Sequence, residues 1–453
     1  MTLPITQLYA GAFTVAVGIA LVRYLTYSRL SNTKQPYLAK IMHSDNILSG
    51  SFLKESGTGH QLTPLESRAL SNLRLAATFD ICNSFTTTEE NIHREFRQQA
   101  AQRLNLTESE WKAIVCKAQL AISSYLQISL QQTNSLYLKV SLPSMVRVVV
   151  LKVVLSTMFD EYQTHSLPTD QEYRVLDQVA DMINKLWILS KQGFPDSESL
   201  LNQLNALLNC LLPEVYYPLN IILPSFETMW RVTMRGVMEL RFRDCETWNS
   251  HYQRMFKDIL NNPSLHTMKK LDREYGASMN DIVNEILRLY PPTRRIHRAI
   301  SASDSCSPVI TSVDIDSLHR DPDIWGKDSL CFRPSRWRSG LSETQNAAFF
   351  PFGKKIFVCP AKPSFAPRML AILVGAISIG IEQANLEWGQ ERNSFVEKQP
   401  ISNRREDLDA LSISYRQSNL PTFFTKVSTV ADTSKLQLDN PQVGEITLKN
   451  NCQ

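Results

Sequence analysis

From Leu142 to Phe159 the chain reads LPSMVRVVVLKVVLSTMF, a run of nearly all apolar side chains. A helix with no polar face has to be enclosed by other elements, so such a run implies a chain that wraps around it. Its valine runs also suit a strand, and periodicity alone leaves both readings open. The surrounding pattern, from about residue 66 to 260, is mostly helical. Thr107-Glu-Ser-Glu110 is a capping box ahead of WKAIVCKAQLAISSYLQISL. DQEYRVLDQVADMINKLWILSKQ is amphipathic, and SESLLNQLNALLNCLL is a further helix stopped by Pro213. After Pro291 the texture changes to short segments rich in Pro, Asp and Ser, followed by one apolar helix near 363–385. The fold expected is mainly α with minor β-structure.

Thr2 to Val22 carries no charged side chain, long enough to cross a hydrocarbon core of about 30 Å. Arg23, Arg29, Lys34 and Lys40 follow, so the positive-inside rule places the body in the cytoplasm. No basic residue precedes the run and no small-x-small site closes it, which favours an uncleaved anchor over 1–24. Residues 25–65 are expected to be a linker, 66–426 the functional domain and 427–453 a disordered tail. A formal net charge of +4 on 453 residues is too mild to argue for nucleic acid. The eight cysteines occur singly, with no C-x-x-C, which excludes a zinc ribbon or thioredoxin-type motif. H-E-x-x-H, G-x-S-x-G and Walker-type phosphate loops are absent from the sequence.

Three stretches and a loop carry the chemistry. In NEILRLYPPTRRIHR, Glu285 and Arg288 are spaced i, i+3, share a helix face and can pair, before Pro291 and Pro292 stop the helix. HRDPDIWGKDSLCFRPSRW is rich in turn residues and ends in Pro334-Ser335-Arg336-Trp337. NIILPSFETMWRV sets Glu227 beside Thr228 on an apolar helix. PFGKKIFVCPA, Pro351 to Ala361, holds Cys359. Taken in this order, the four resemble the cytochrome P450 family of haem-thiolate monooxygenases. The likeness runs over roughly 205–385, and the texture is similar to fungal members that act in secondary metabolism.

The resemblance implies a cytochrome P450-like haem-thiolate fold, with haem b held by Cys359 as axial ligand of the iron and Phe352 beside it. A thiolate donates electron density that favours O–O cleavage. Glu285, Arg288 and Arg336 would form a buried structural network, Thr228 would hydrogen-bond bound dioxygen, and Glu227 would help to relay protons. The family's loop is F-x-x-G-x-R-x-C-x-G. Here Lys355 replaces the first Gly, Phe357 the Arg and Ala361 the last Gly, with Gly353 left to supply backbone freedom. Phe357 cannot pair with a haem propionate, so Arg298 is the expected substitute, ahead of Arg294, Arg295 and His297. Trp111 has Val115 where the family's W-x-x-x-R helix has its Arg, and Pro224 interrupts the distal helix.

The function implied is hydroxylation or epoxidation of a lipophilic small molecule by an endoplasmic-reticulum enzyme with a single-pass anchor. Its electrons would come from NADPH through a separate reductase, docking near Lys354, Lys355 and Lys362. Two alternatives stand beside it: a haem-dependent oxidative cyclase or ring-coupling enzyme, and a haem-free scaffold.

Overall fold

The computed structural model describes residues 36–49, 62–131, 137–164, 167–192, 197–243, 250–301, 308–384, 386–388, 400–402, 404–409 and 411–416. The apolar run expected to anchor the chain and the expected tail both lie outside these residues.

The principal helices are α1 (Pro36–Ser49), α2 (Pro64–Ser71), α3 (Leu73–Phe79), α4 (Glu90–Arg103), α5 (Glu108–Gln131), α6 (Leu142–Met158) and α7 (Thr169–Leu189). They continue as α8 (Glu198–Leu211), α9 (Leu219–Met238), α10 (Ser250–Asn261), α11 (Met279–Leu289), α12 (Ile315–Arg320) and α13 (Phe365–Gln383). The fold is mainly α. Minor β-structure comprises β1 (Tyr137–Ser141), β2 (Leu271–Asp272), β3 (Ala277–Ser278), β4 (Arg295–Ile300), β5 (Val309–Asp314), β6 (Glu387–Trp388) and β7 (Ser412–Arg416). These pair antiparallel as β1-β7-β6, β2-β3 and β4-β5, the last with Arg298 opposite Thr311.

The run at 142–159 resolves as a helix. Ser141 caps it, its Oγ accepting from the Ser144 amide at 3.3 Å, and Pro143 fits the first turn. A helix satisfies its backbone internally, which is what an enclosed segment needs. Met145, Val146, Val148, Val149 and Val150 are fully buried among α5, α7 and α9. The Thr107–Glu110 box is present, with the Thr107 amide donating to the Glu110 carboxylate at 2.6 Å. α13 is the second enclosed helix. A Cβ on Gly375 would come within 2.7 Å of the Phe256 ring, so α10 packs there only because that position lacks a side chain.

One expectation is corrected. The stretch 25–65 reads as a linker, yet 36–49 form α1. Ile41, Ile47 and Leu48 pack in a second core with Val313, Ile315, Leu318, Trp325 and Phe350. Polar residues surround those apolar ones in sequence, so the stretch has no strong local pattern and tertiary burial makes the helix.

Candidate functional site

The Cys359 loop is built on two left-handed residues. Gly353 sits at φ 71°, where a Cβ would meet the Phe357 carbonyl at 3.1 Å, and Lys355 at φ 49°. Lys355 therefore adopts, with a side chain, the conformation that a glycine accepts freely, at a cost of about 1–2 kcal/mol. The Cys359 amide closes the loop by donating to the Phe352 carbonyl at 2.8 Å. Asp45 of α1 holds the loop from outside, 3.0 Å from Lys354 Nζ and 3.8 Å from Lys355 Nζ.

Phe357, in the place of an arginine, is buried and serves as a platform for cations. The Arg68 and Arg298 guanidiniums lie 4.6 and 4.7 Å from its ring centroid, and His93 meets it edge-on at 6.0 Å. Arg97 donates to the neighbouring Ile356 carbonyl. Burial, followed by the fields of Arg298 and Arg97, pulls the Arg68 pKa down to about 9. Burial holds Arg298 at about 10. Arg298 Nε and His93 Nδ1 are buried without a hydrogen-bond partner among the described residues. Burial pushes the Cys359 thiol up, while the Ala361 amide, Arg97 and Arg68 act the other way. A thiol beside several cations, with orphaned donors among them, suits a ligand that carries both a metal and carboxylates.

The other arginine candidates are already engaged. Arg294 pairs with Asp316 at 3.2 Å and Arg295 with Asp314 at 3.0 Å, while His297 is exposed. Sequence reading singled out Arg298 and did not name Arg68, Arg97 or His93, which lie more than 200 positions before Arg298 in the chain. Contacts across that distance bring Arg68 in: Ser67 Oγ donates to the Ala299 carbonyl at 2.7 Å and Ser71 Oγ to the His297 carbonyl at 3.0 Å. No motif marks α2. Its capping box, Thr63 with Glu66, was the available signal and specifies only a helix start.

A second group lies on α11. Glu285 and Arg288 are fully buried, with Arg288 Nε and Nη2 donating to the Glu285 carboxylate at 2.9 and 2.8 Å. Arg336 Nε adds a bond to Glu285 Oε1 at 2.9 Å, and Trp337 Nε1 one to Oε2 at 3.0 Å. The spare Arg288 donors reach the carbonyls of His319 at 2.7 Å and Ser329 at 2.6 Å. Both oxygens of this buried carboxylate are multiply satisfied, the condition under which a buried ion pair is tolerable. The network ties α11 to the segment leading into the Cys359 loop.

The third group is on α9, which continues through Pro224. Proline leaves the Asn220 carbonyl without its helical donor, and Asn83 Nδ2 supplies one at 3.1 Å. Glu227 is buried. Its Oε1 pairs with Arg405 and its Oε2 accepts from Trp230 Nε1 at 3.3 Å. Arg405 is also held by Asn184 Oδ1 at 2.8 Å. Thr228, the next residue, is half-buried. Arg405 as the partner of Glu227 was not legible in the sequence, since 178 positions separate them.

Residues 277–354 match the family model described as Cytochrome P450. The match takes in Glu285, Arg288, Arg298, Arg336 and Phe352 and ends before Cys359. The chain is 39% identical over 85 residues to Cytochrome P450 CYP749A22 of Panax ginseng, covering 17% of this chain and 16% of that protein. It is 39% identical over 89 residues to Cytochrome P450 72A11 of Arabidopsis thaliana, with 18% and 17% covered. Echinocystic acid 23-monooxygenase of Saponaria officinalis matches at 36% over 87 residues, 17% of each chain. The aligned part spans about a sixth of the length of these relatives. Among solved structures, a cytochrome P450DA haem domain aligns over 82% of this chain and 85% of its own, with a TM-score of 0.49 and 13% identity. The chain thus resembles the cytochrome P450 family, and residues 277–354 carry the family's sequence. The relatives named here are plant proteins; the fungal likeness rests on sequence texture alone.

Proposed function

We propose that this chain is a haem-thiolate monooxygenase that oxidises a lipophilic small molecule, with Cys359 as the iron ligand. The observation that carries the reading is the Arg68 and Arg298 guanidiniums over Phe357, two residues before Cys359, with Arg298 Nε buried and without a hydrogen-bond partner among the described residues. Haem bound through a thiolate supplies the activation of dioxygen for oxygen insertion. The chain's own residues prepare for that ligand. Arg68, Arg97 and Arg298 would bind the propionates, replacing the loop arginine that Phe357 displaced. The same cations favour loss of the proton from Cys359 Sγ, and the buried Phe357 ring excludes water on that side. The Glu285–Arg288–Arg336 network would fix the loop's approach. On α9, Thr228 would offer a hydroxyl to the oxygen ligand, and Glu227 would join proton supply when Arg405 releases it.

The full reading places the enzyme in fungal secondary metabolism on the endoplasmic reticulum membrane, anchored by 1–24 and fed by an NADPH–cytochrome reductase. The charge-free run at Thr2–Val22 and the sequence texture support it. Lys354 and Lys355 face Asp45, so a reductase meeting that face would contact α1 as well as the loop. The test is the ferrous–CO spectrum. The wild type should show the red-shifted Soret band of thiolate ligation, and Cys359→Ala should lose it. A band that persists in the variant would sink the assignment, and a wild type that binds no haem would favour the scaffold alternative.

A further inference from the structure

A second group of cations lies where α3, α7, α9 and the segment at Arg405 meet. Arg74 and Arg405 both lie over the Trp187 indole, 5.6 and 5.2 Å from its centroid, and Arg405 is 5.7 Å from that of Trp230. Arg74 Nη1 donates to Ser190 Oγ at 2.8 Å, beside Lys191 at the rim. Arg231 follows Glu227 by one turn on α9, and its Nε is buried with no hydrogen-bond partner among the described residues. Burial and then the field of Arg405 hold Arg231 down to about 10, while Glu227 acts in the opposite direction.

Arg405 already occupies Glu227, and neither Arg231 nor Arg74 forms an ion pair among the described residues. Arg294 pairs with Asp316, a carboxylate that Arg320 shares. Surplus guanidiniums that are half-buried carry a desolvation cost that an anion offsets. The walls are aromatic: Phe79 packs on Trp187 at 6.2 Å, and Trp230 lies beneath Arg405. A planar carboxylate borne on an apolar body fits such walls and the forked donors of a guanidinium.

We propose that Arg231 and Arg74, backed by Arg405, form an anion site that anchors the carboxylate of a lipophilic acid substrate. The substrate role rests on the monooxygenase reading; the anion site rests on the cations alone. The test is calorimetry on the purified full chain with dodecanoate and with abietate, each against its methyl ester. At least one acid should bind about tenfold or more tighter than its ester, roughly the worth of one charge-assisted bond. Arg231→Met and Arg74→Met should each remove that preference and leave ester binding unchanged. Arg231→Met should also melt no lower than wild type, because it removes an uncompensated charge. Acids and esters that bind alike would overturn the site, as would Met variants that keep the preference. Acid binding that leaves the ferric Soret band unmoved would overturn the substrate role. Loss of the ferrous–CO signature alone would strike the monooxygenase reading and leave the calorimetric result standing.

Discussion

Arg68 illustrates what burial does to a charge that has no counter-ion among the described residues. Its pKa falls to about 9, first through desolvation and then through Arg298 and Arg97, so the apo site stores repulsion that an anionic ligand relieves. Arg68→Ala and Arg298→Ala are each expected to speed haem transfer to an acceptor protein by about tenfold or more, since in the proposed site each supplies a charge-assisted bond to a propionate. Phe357→Arg should leave the rate near wild type or slow it. Equal haem retention in both alanine variants would show that the propionates lie elsewhere. At this scale the sequence was partly legible. Arg298 was readable from its place after Pro291-Pro292, whereas Arg68 stands in a helix with no marker of its own. A guanidinium's role is set by which carboxylates are missing around it, and those are remote in the chain.

At the scale of elements, α9 shows a local rule met by a distant partner. The proline at 224 was readable as an interruption, and the helix nevertheless continues because Asn83 donates to the freed Asn220 carbonyl. Asn83→Ala should destabilise the protein by about 1–3 kcal/mol, the cost of leaving that buried carbonyl unpaired. Pro224→Ala in the same background should recover part of the loss by restoring a helical amide. Denaturant unfolding of the two variants would check this, and additive losses would show that the two residues do not share the carbonyl. The Glu285–Arg288 pair is the opposite case. Its i, i+3 spacing fixed a shared face, and the helical period alone brings the two together. Neither the depth of the pair nor the bonds to His319, Ser329 and Trp337 follow from spacing. Glu285→Gln should therefore cost about 3–5 kcal/mol by stranding the Arg288 and Arg336 charges.

For the whole molecule, the cations matter more than the modest net charge of +4 suggests, because Arg68 and Arg298 are buried. A ligand that neutralises them binds the folded state alone and so raises its stability by mass action. Haem-loaded protein should melt several degrees above protein stripped of haem, and the gap should narrow in a combined Arg68→Ala, Arg298→Ala variant. Matching melting curves for loaded and stripped wild type would contradict this.

The sequence by itself determined the mainly helical fold, the enclosed run at 142–158 and the Glu285–Arg288 face, whereas Cys359 was singled out by resemblance to the family's loop. Those first three properties follow from period, caps and spacing, which act over a few residues. Only the tertiary structure decided that 36–49 is a helix, that Glu227 is tied to Arg405, and that Arg68 and Arg97 stand around Phe357. Burial and charge compensation depend on neighbours brought together across more than 100 positions, and no local pattern encodes who those neighbours will be.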